Sequence, residues 1–283
     1  MYEGMLQGFH GARRLLGRSP GRGRVLPDFV IIGAAKAGTT SVYAWLCEHP
    51  FVKRARRKEI DYFTYHHYRG ADWYRHHFPP TADRSAFATE HGRPFITGEA
   101  SPSYLLDESA PRRMAKLLPD IKLIVALRNP ADRAYSQFQM RRRDGEEPIE
   151  SFADALEVED PRFAAIDSGS ALAGSDRRRE KDWRTYLSRG RYAEQLERWF
   201  ACFPVEQFHI VELGELAADP LAATGALYEF LGLPPGAGHH LEARFRAEYE
   251  PMRAEVRDRL LEYFRPHNER LYELLGRQFA WDE

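Results

Sequence analysis

Three short stretches of this chain carry residue types that can do chemistry. The first is Gly33-Ala34-Ala35-Lys36-Ala37-Gly38-Thr39-Thr40-Ser41. Small residues let backbone N–H groups come close to an anion, and a helix start adds unpaired donors. Thr39 or Thr40 can cap that helix and donate to a ligand oxygen, while Lys36 supplies a full charge. A nucleotide P-loop puts its lysine directly after the second glycine, whereas Lys36 precedes Gly38. The bland reading is an ordinary strand-to-helix turn, where Gly and Thr are also common. The second stretch holds Arg128 and, on the helix that follows, Ser136. An Arg and a Ser so placed can grip one phosphate. Alternatively, Arg128 pairs with Asp132 at the surface. The third is Arg56-Arg57-Lys58-Glu59-Ile60-Asp61-Tyr62-Phe63. A carboxylate beside an anion site can take the proton of a hydroxyl or amine, so Glu59 is a candidate base. A surface ion pair with Lys58 is the competing reading. Glu99 is either a second acid or base or a structural hydrogen-bonding group.

The elements around these residues decide whether they can meet. Residues 27–33 form a short, apolar, β-branched run that reads as a strand buried on both faces. It leads through the Lys36 loop into a helix over 41–46. A second buried strand over 121–127 ends at Arg128-Asn129-Pro130, with a helix from about Ala131. Arg128 then emerges at the C-terminal end of a strand, where open α/β sheets bind ligands. Shorter strands are expected at 95–98 and 208–211. Helices are expected over 111–118, 192–202, 221–231 and 253–275. Strands alternating with helices predict an α/β fold: one P-loop-like domain over 27–283, its central parallel β-sheet flanked by helices on both faces. The charged stretch 141–184 reads as an excursion over the active-site face.

The bulk numbers are compatible with one folded domain. The chain has 283 residues, 43% of them hydrophobic and 13% aromatic, enough for a sizeable core. A net charge of −1 gives no support to a nucleic-acid partner. Cys47 and Cys202 have no metal-ligand spacing, and adjacent histidines such as His66-His67 and His76-His77 rarely converge on an ion, so no metal is expected. No apolar run is long enough for a transmembrane segment. Residues 1–26, basic and rich in Gly and Arg, read as a flexible leader, and a cytoplasmic location is the expectation.

The motifs together resemble the sulfotransferases that use 3′-phosphoadenosine 5′-phosphosulfate (PAPS), in the heparan-sulfate-type and bacterial carbohydrate branch. Residues 33–41 look like that family's 5′-phosphosulfate loop, and Arg128 with Ser136 look like its 3′-phosphate motif. The resemblance implies that Lys36, Ala37, Gly38, Thr39, Thr40, Ser41, Arg128 and Ser136 bind the donor and that Glu59 is the base. It implies 3′-phosphoadenosine 5′-phosphate as product and a carbohydrate or small glycoconjugate as acceptor. Leu187-Ser188-Arg189-Gly190-Arg191-Tyr192 resembles a segment near the nucleotide, giving Tyr192 as a further contact. Two departures stand out. Ala100 occupies a place where many heparan-type relatives carry Lys, which argues against a polyanionic acceptor. The family's late Lys-Gly-Arg triplet is missing, with Arg244, Arg246 and Tyr249 in its region; Arg246 is the candidate there. A P-loop kinase or NTPase, and a non-catalytic nucleotide- or polyanion-binding protein, remain the alternatives.

Overall fold

The computed structural model describes residue 21 and residues 23–159, 185–235 and 249–281. Most of the basic leader, Arg244, Arg246 and residues 160–184 of the charged excursion lie outside these.

The sheet has five parallel strands. They are β1 (Phe29–Gly33), β2 (Val52–Arg54), β3 (Ile96–Ala100), β4 (Lys122–Leu127) and β5 (Phe208–Glu212), in the spatial order β2-β3-β1-β4-β5. Four match the strands expected from apolar runs. The fifth, β2, does not, because Lys53 and Arg54 are exposed on it and leave no apolar run to see.

Alternation along β1 builds a core on each side of the sheet. Val30 and Ile32 face one cluster with Leu123, Val125 and Leu127, whereas Phe29 and Ile31 face the other with Ile124. The second face is covered by α1 (Thr39–Leu46) through Val42, Trp45 and Leu46. Two short helices, α2 (Ala71–Arg75) and α3 (Thr81–His91), follow before β3. Helix α3 buries no residue, so its sequence carries no apolar stripe to reveal it. The first face takes α4 (Ala110–Leu117) through Met114.

After β4 come α5 (Pro130–Arg143) and α6 (Phe152–Glu157). Helix α5 continues into the expected excursion as far as Arg143. The later helices are α7 (Tyr192–Phe200), α8 (Leu213–Ala218), α9 (Pro220–Leu231) and α10 (Ala254–Leu275). Leu196 and Trp199 of α7 and Leu271 of α10 join the first face, and Leu227 and Leu231 of α9 join the second. A third cluster packs Ala134 and Phe138 of α5 against Phe152 of α6 and Phe264 of α10. It fixes α5 beside the end of β4.

Candidate active site

Strands β3, β1 and β4 are adjacent, and the chain leaves each at the same end of the sheet. Neighbouring strands lie about 4.8 Å apart. The groups at these three strand ends therefore stand in one row. Glu59 docks at the end of β3, where its N–H donates to the Ala100 carbonyl at 3.0 Å. The Lys36 loop follows β1, and Arg128 follows β4.

Backbone conformation marks the same row. Among the described residues, the non-glycine residues with left-handed φ are Lys36 (70°), Glu59 (59°) and Asp61 (53°). This region is disfavoured for residues with a Cβ, and such residues cluster where function holds the chain. All three lie on the loops at the ends of β1 and β3.

The loop after β1 is held from several sides. Ala34 N–H donates to the Ala126 carbonyl of β4 at 2.7 Å. Gly38 begins α1 with φ 87°, and a Cβ there would stand 2.8 Å from Leu213 Cδ1. No other residue type fits that position without moving Leu213. Ala37, Thr39 and Ser41 are buried, while Gly38 and Thr40 are partly exposed. No side chain caps α1, so its first N–H groups point into the loop.

Lys36 sits in crowded positive surroundings. Its pKa is lowered, first by burial and then by Arg143 and Arg128, with a smaller effect from Arg133; Asp144 opposes the shift. Its ammonium group lies 3.3 Å from the Met140 sulfur. Arg128 Nη1 donates to the Lys36 carbonyl at 3.4 Å. A bound anion relieves such mutual repulsion, so the residues present fit a phosphate- or sulfate-bearing ligand.

Local sequence explains how Arg128 and Ser136 are placed. Asn129 caps α5, accepting from Ala131 N–H at 2.9 Å and Asp132 N–H at 3.4 Å, and Pro130 follows at the first helical position. Asn129 also donates to the Trp281 carbonyl at 2.8 Å, anchoring the cap. Asp132 pairs with Arg257 of α10 at 2.5 Å, so the alternative pairing with Arg128 is not made. Arg133, Ser136, Met140 and Arg143 follow one another at helical spacing along α5, which puts buried Ser136 on the face that meets Lys36. The sequence reading singles out Ser136 but not Arg133 or Met140, although their helical spacing is there to be read.

The expected contact Tyr192 and the late-chain region around Arg246 are placed differently from one another. Tyr192 is almost fully buried, and its hydroxyl donates to the Arg128 carbonyl at 2.9 Å. It holds the main chain at Arg128 from behind. Tyr249 packs edge-on against Tyr135 of α5 with ring centroids 5.5 Å apart, so the late chain reaches this helix. Arg246 lies outside the described residues.

Glu59 is exposed, and Lys58 Nζ donates to its Oε1 at 2.7 Å. The bland pairing is thus formed, at a carboxylate that the backbone still fixes at the end of β3. Asp61, two residues on, accepts from Ser103 Oγ at 2.6 Å. Glu99 is fully buried below this loop, and burial raises its pKa to about 7 against three hydroxyl donors that lower it. It is a hydrogen-bonded interior group. The histidine pairs build no metal site: among the described residues no three His, Cys, Asp or Glu side chains converge.

Comparison with known proteins agrees with this geometry. Residues 26–265 match the family model described as a sulfotransferase domain. The human heparan sulfate glucosamine 3-O-sulfotransferase 6 is 31% identical over 94% of this chain and 76% of its own length. The human bifunctional heparan sulfate N-deacetylase/N-sulfotransferase 2 is 32% identical over 89% of this chain, which spans only 30% of that relative. The membrane-associated sulfotransferase kil1 of Dictyostelium discoideum is 27% identical over 90% of this chain and 66% of its length. Among the described residues no helix is long and apolar enough to cross a membrane. A crystal structure of a sulfotransferase from Alicyclobacillus acidocaldarius superposes with a TM-score of 0.68 and 28% identity, covering 92% of this chain and all of that one. With its parallel sheet, its basic loop after β1 and a family match spanning most of its length, the chain belongs to the sulfotransferase family.

Proposed function

We propose that this sulfotransferase takes its sulfuryl group from PAPS and places it on a hydroxyl or amine of a carbohydrate or small glycoconjugate. The reading rests above all on the row at the strand ends. A strained lysine loop lies between an exposed carboxylate on one side and an arginine on the other.

When bound, PAPS supplies the sulfuryl group. The protein's own residues then divide the work. Lys36 and the main-chain N–H groups at the start of α1 hold the phosphosulfate, and they keep positive charge where negative charge grows on the leaving group. Arg128 and Ser136 hold the 3′-phosphate and so fix the position of the reacting end. Glu59 takes the proton from the acceptor O–H or N–H. This division is supported by the strand order, in which Glu59 and Arg128 stand on opposite sides of Lys36.

A carbohydrate acceptor is supported by the relatives named for action on heparan sulfate. The kinase alternative has no support, because β4 ends in Arg128 rather than a carboxylate able to hold Mg²⁺.

The test is a screen of acceptors with ³⁵S-labelled PAPS, run on the wild type and on Glu59→Ala. Binding of 3′-phosphoadenosine 5′-phosphate is followed in parallel by calorimetry with chelator present. Glu59→Ala is expected to abolish transfer and keep product binding within about twofold. Full transfer by Glu59→Ala would show that another group is the base.

A further inference from the structure

The loop that carries Glu59 is bound to the protein through side chains whose hydrogens are oriented from below. Asp61 N–H donates to Ser101 Oγ at 3.0 Å, and Tyr62 N–H donates to Tyr104 Oη at 2.8 Å. Each of these hydroxyls donates in turn to one buried carboxylate. Ser101 Oγ reaches Glu99 Oε2 at 2.6 Å, and Tyr104 Oη reaches Glu99 Oε1 at 2.9 Å. Tyr74 Oη adds a third donor to Oε1 at 2.8 Å, while its ring stacks on Tyr62 of the loop with centroids 4.6 Å apart, a contact that Tyr74→Phe keeps.

A hydroxyl has one hydrogen. While that hydrogen points at Glu99, the lone pairs of Ser101 and Tyr104 are left for the loop N–H groups. We propose that Glu99 is a positioning residue for catalysis: its carboxylate orients the Ser101 and Tyr104 hydroxyls, and these hold the strained Glu59–Asp61 main chain against the end of β3. The inference rests on the reading of Glu59 as the base.

The polarity of the relay makes it sensitive to protons. A protonated Glu99 turns one oxygen into a donor, and the hydroxyl beside it loses the acceptor that oriented it. The groups acting most strongly on Glu99 are Ser101 and Tyr104 beyond β3, Tyr74 of α2 and Asp61 of the loop; Tyr43 of α1 also senses its charge. Burial raises the Glu99 pKa to about 7, so the switch falls near neutrality. The clamp is closed above that pH and loosened below it.

Hydrogen–deuterium exchange on the full chain tests this without any acceptor. In the wild type, protection of the Asp61 and Tyr62 amides, corrected for intrinsic rate, is expected to rise about threefold or more between about pH 6 and about pH 8. Glu99→Gln, whose amide donates at every pH, is expected to hold the low value throughout. Tyr104→Phe removes the acceptor of Tyr62 N–H and is expected to lower its protection about tenfold, whereas Tyr74→Phe leaves both loop amides within about twofold. Protection of residues 33–41 stays at the wild-type level in all three variants. Equal loss across every peptide, or a pH response that survives in Glu99→Gln, would overturn the proposal.

A kinetic cycle separates this inference from the base assignment. Glu99→Gln is expected to lower kcat about tenfold or more with product binding unchanged, and to have no further effect in a Glu59→Ala background. If Glu59→Ala itself keeps full transfer, the base assignment fails while the exchange result still decides whether Glu99 holds the loop.

Discussion

The two ends of the active-site row are built on opposite principles. On the β4 side, cations are crowded together: Lys36 is pushed toward its neutral form by burial and by Arg143 and Arg128. On the β3 side, the buried charge is a carboxylate, surrounded by hydroxyls instead of cations. One side is frustrated until an anion arrives. The other is satisfied already and spends its hydrogen bonds on holding a loop. On the proposed reading, donor binding supplies energy at this site, whereas acceptor chemistry depends on geometry prepared beforehand.

The strongest way to break this contrast is to remove its two central groups. Lys36→Ala is expected to cut sulfuryl transfer by about 10³-fold or more and to weaken 3′-phosphoadenosine 5′-phosphate as well. Glu59→Ala is expected to lose transfer alone. Labelled-sulfate turnover and calorimetry on both variants measure the split, and parallel losses in binding would erase the proposed division.

Arg128→Ala tests the donor side more narrowly. It is expected to weaken 3′-phosphoadenosine 5′-phosphate about 10- to 100-fold, as loss of a charged hydrogen bond does, and adenosine monophosphate much less. An equal loss for both nucleotides in competition binding would place Arg128 away from the 3′-phosphate.

The acceptor side has a signature in stability. Glu99 binds its proton more tightly when folded, because its pKa rises from 4.5 to about 7. Its contribution is therefore fully present below about pH 4.5 and is lost as pH rises through about 7. Relative to Glu99→Gln, which does not titrate, the wild type is expected to lose up to about 3 kcal/mol of stability between about pH 5 and about pH 8. Denaturant unfolding of both proteins at the two pH values measures it, and a constant difference would mean Glu99 is not raised. The ionised state that orients the loop is thus the one that costs stability, a trade expected at functional sites.

The smallest effect belongs to Tyr192→Phe. It removes one hydrogen bond, to the Arg128 carbonyl, and is expected to cost about 1 kcal/mol of stability and to weaken 3′-phosphoadenosine 5′-phosphate a few-fold. If binding were lost altogether, Tyr192 would be contacting the nucleotide directly.

How much could be read in advance follows the same division. The donor side is local in sequence. A lysine among small residues directly follows an apolar strand, and Arg128-Asn129-Pro130 is a strand end, a helix cap and a first helical residue in a row. The helical spacing of Arg133, Ser136, Met140 and Arg143 was equally available, since a helix repeats its face by rule. The acceptor side is not local. Tyr74 reaches Glu99 across 25 residues of chain, and the Asp61 and Tyr62 amides reach Ser101 and Tyr104 across 40 and 42, and nothing in their spacing announces it. Strand β2 was hidden for a related reason: it is short and exposes basic side chains at the sheet edge.

Residue order alone therefore determined the parallel α/β sheet, the family and the basic groups at the ends of β1 and β4, because strand periodicity, capping and loop composition act between near neighbours. Only the tertiary structure decided that the carboxylate at Glu99 lies buried beneath the Glu59 loop with three hydroxyls aimed at it. Burial, and the seating of the loop on these hydroxyls, belong to contacts between distant segments, and a chain acquires them only when it packs.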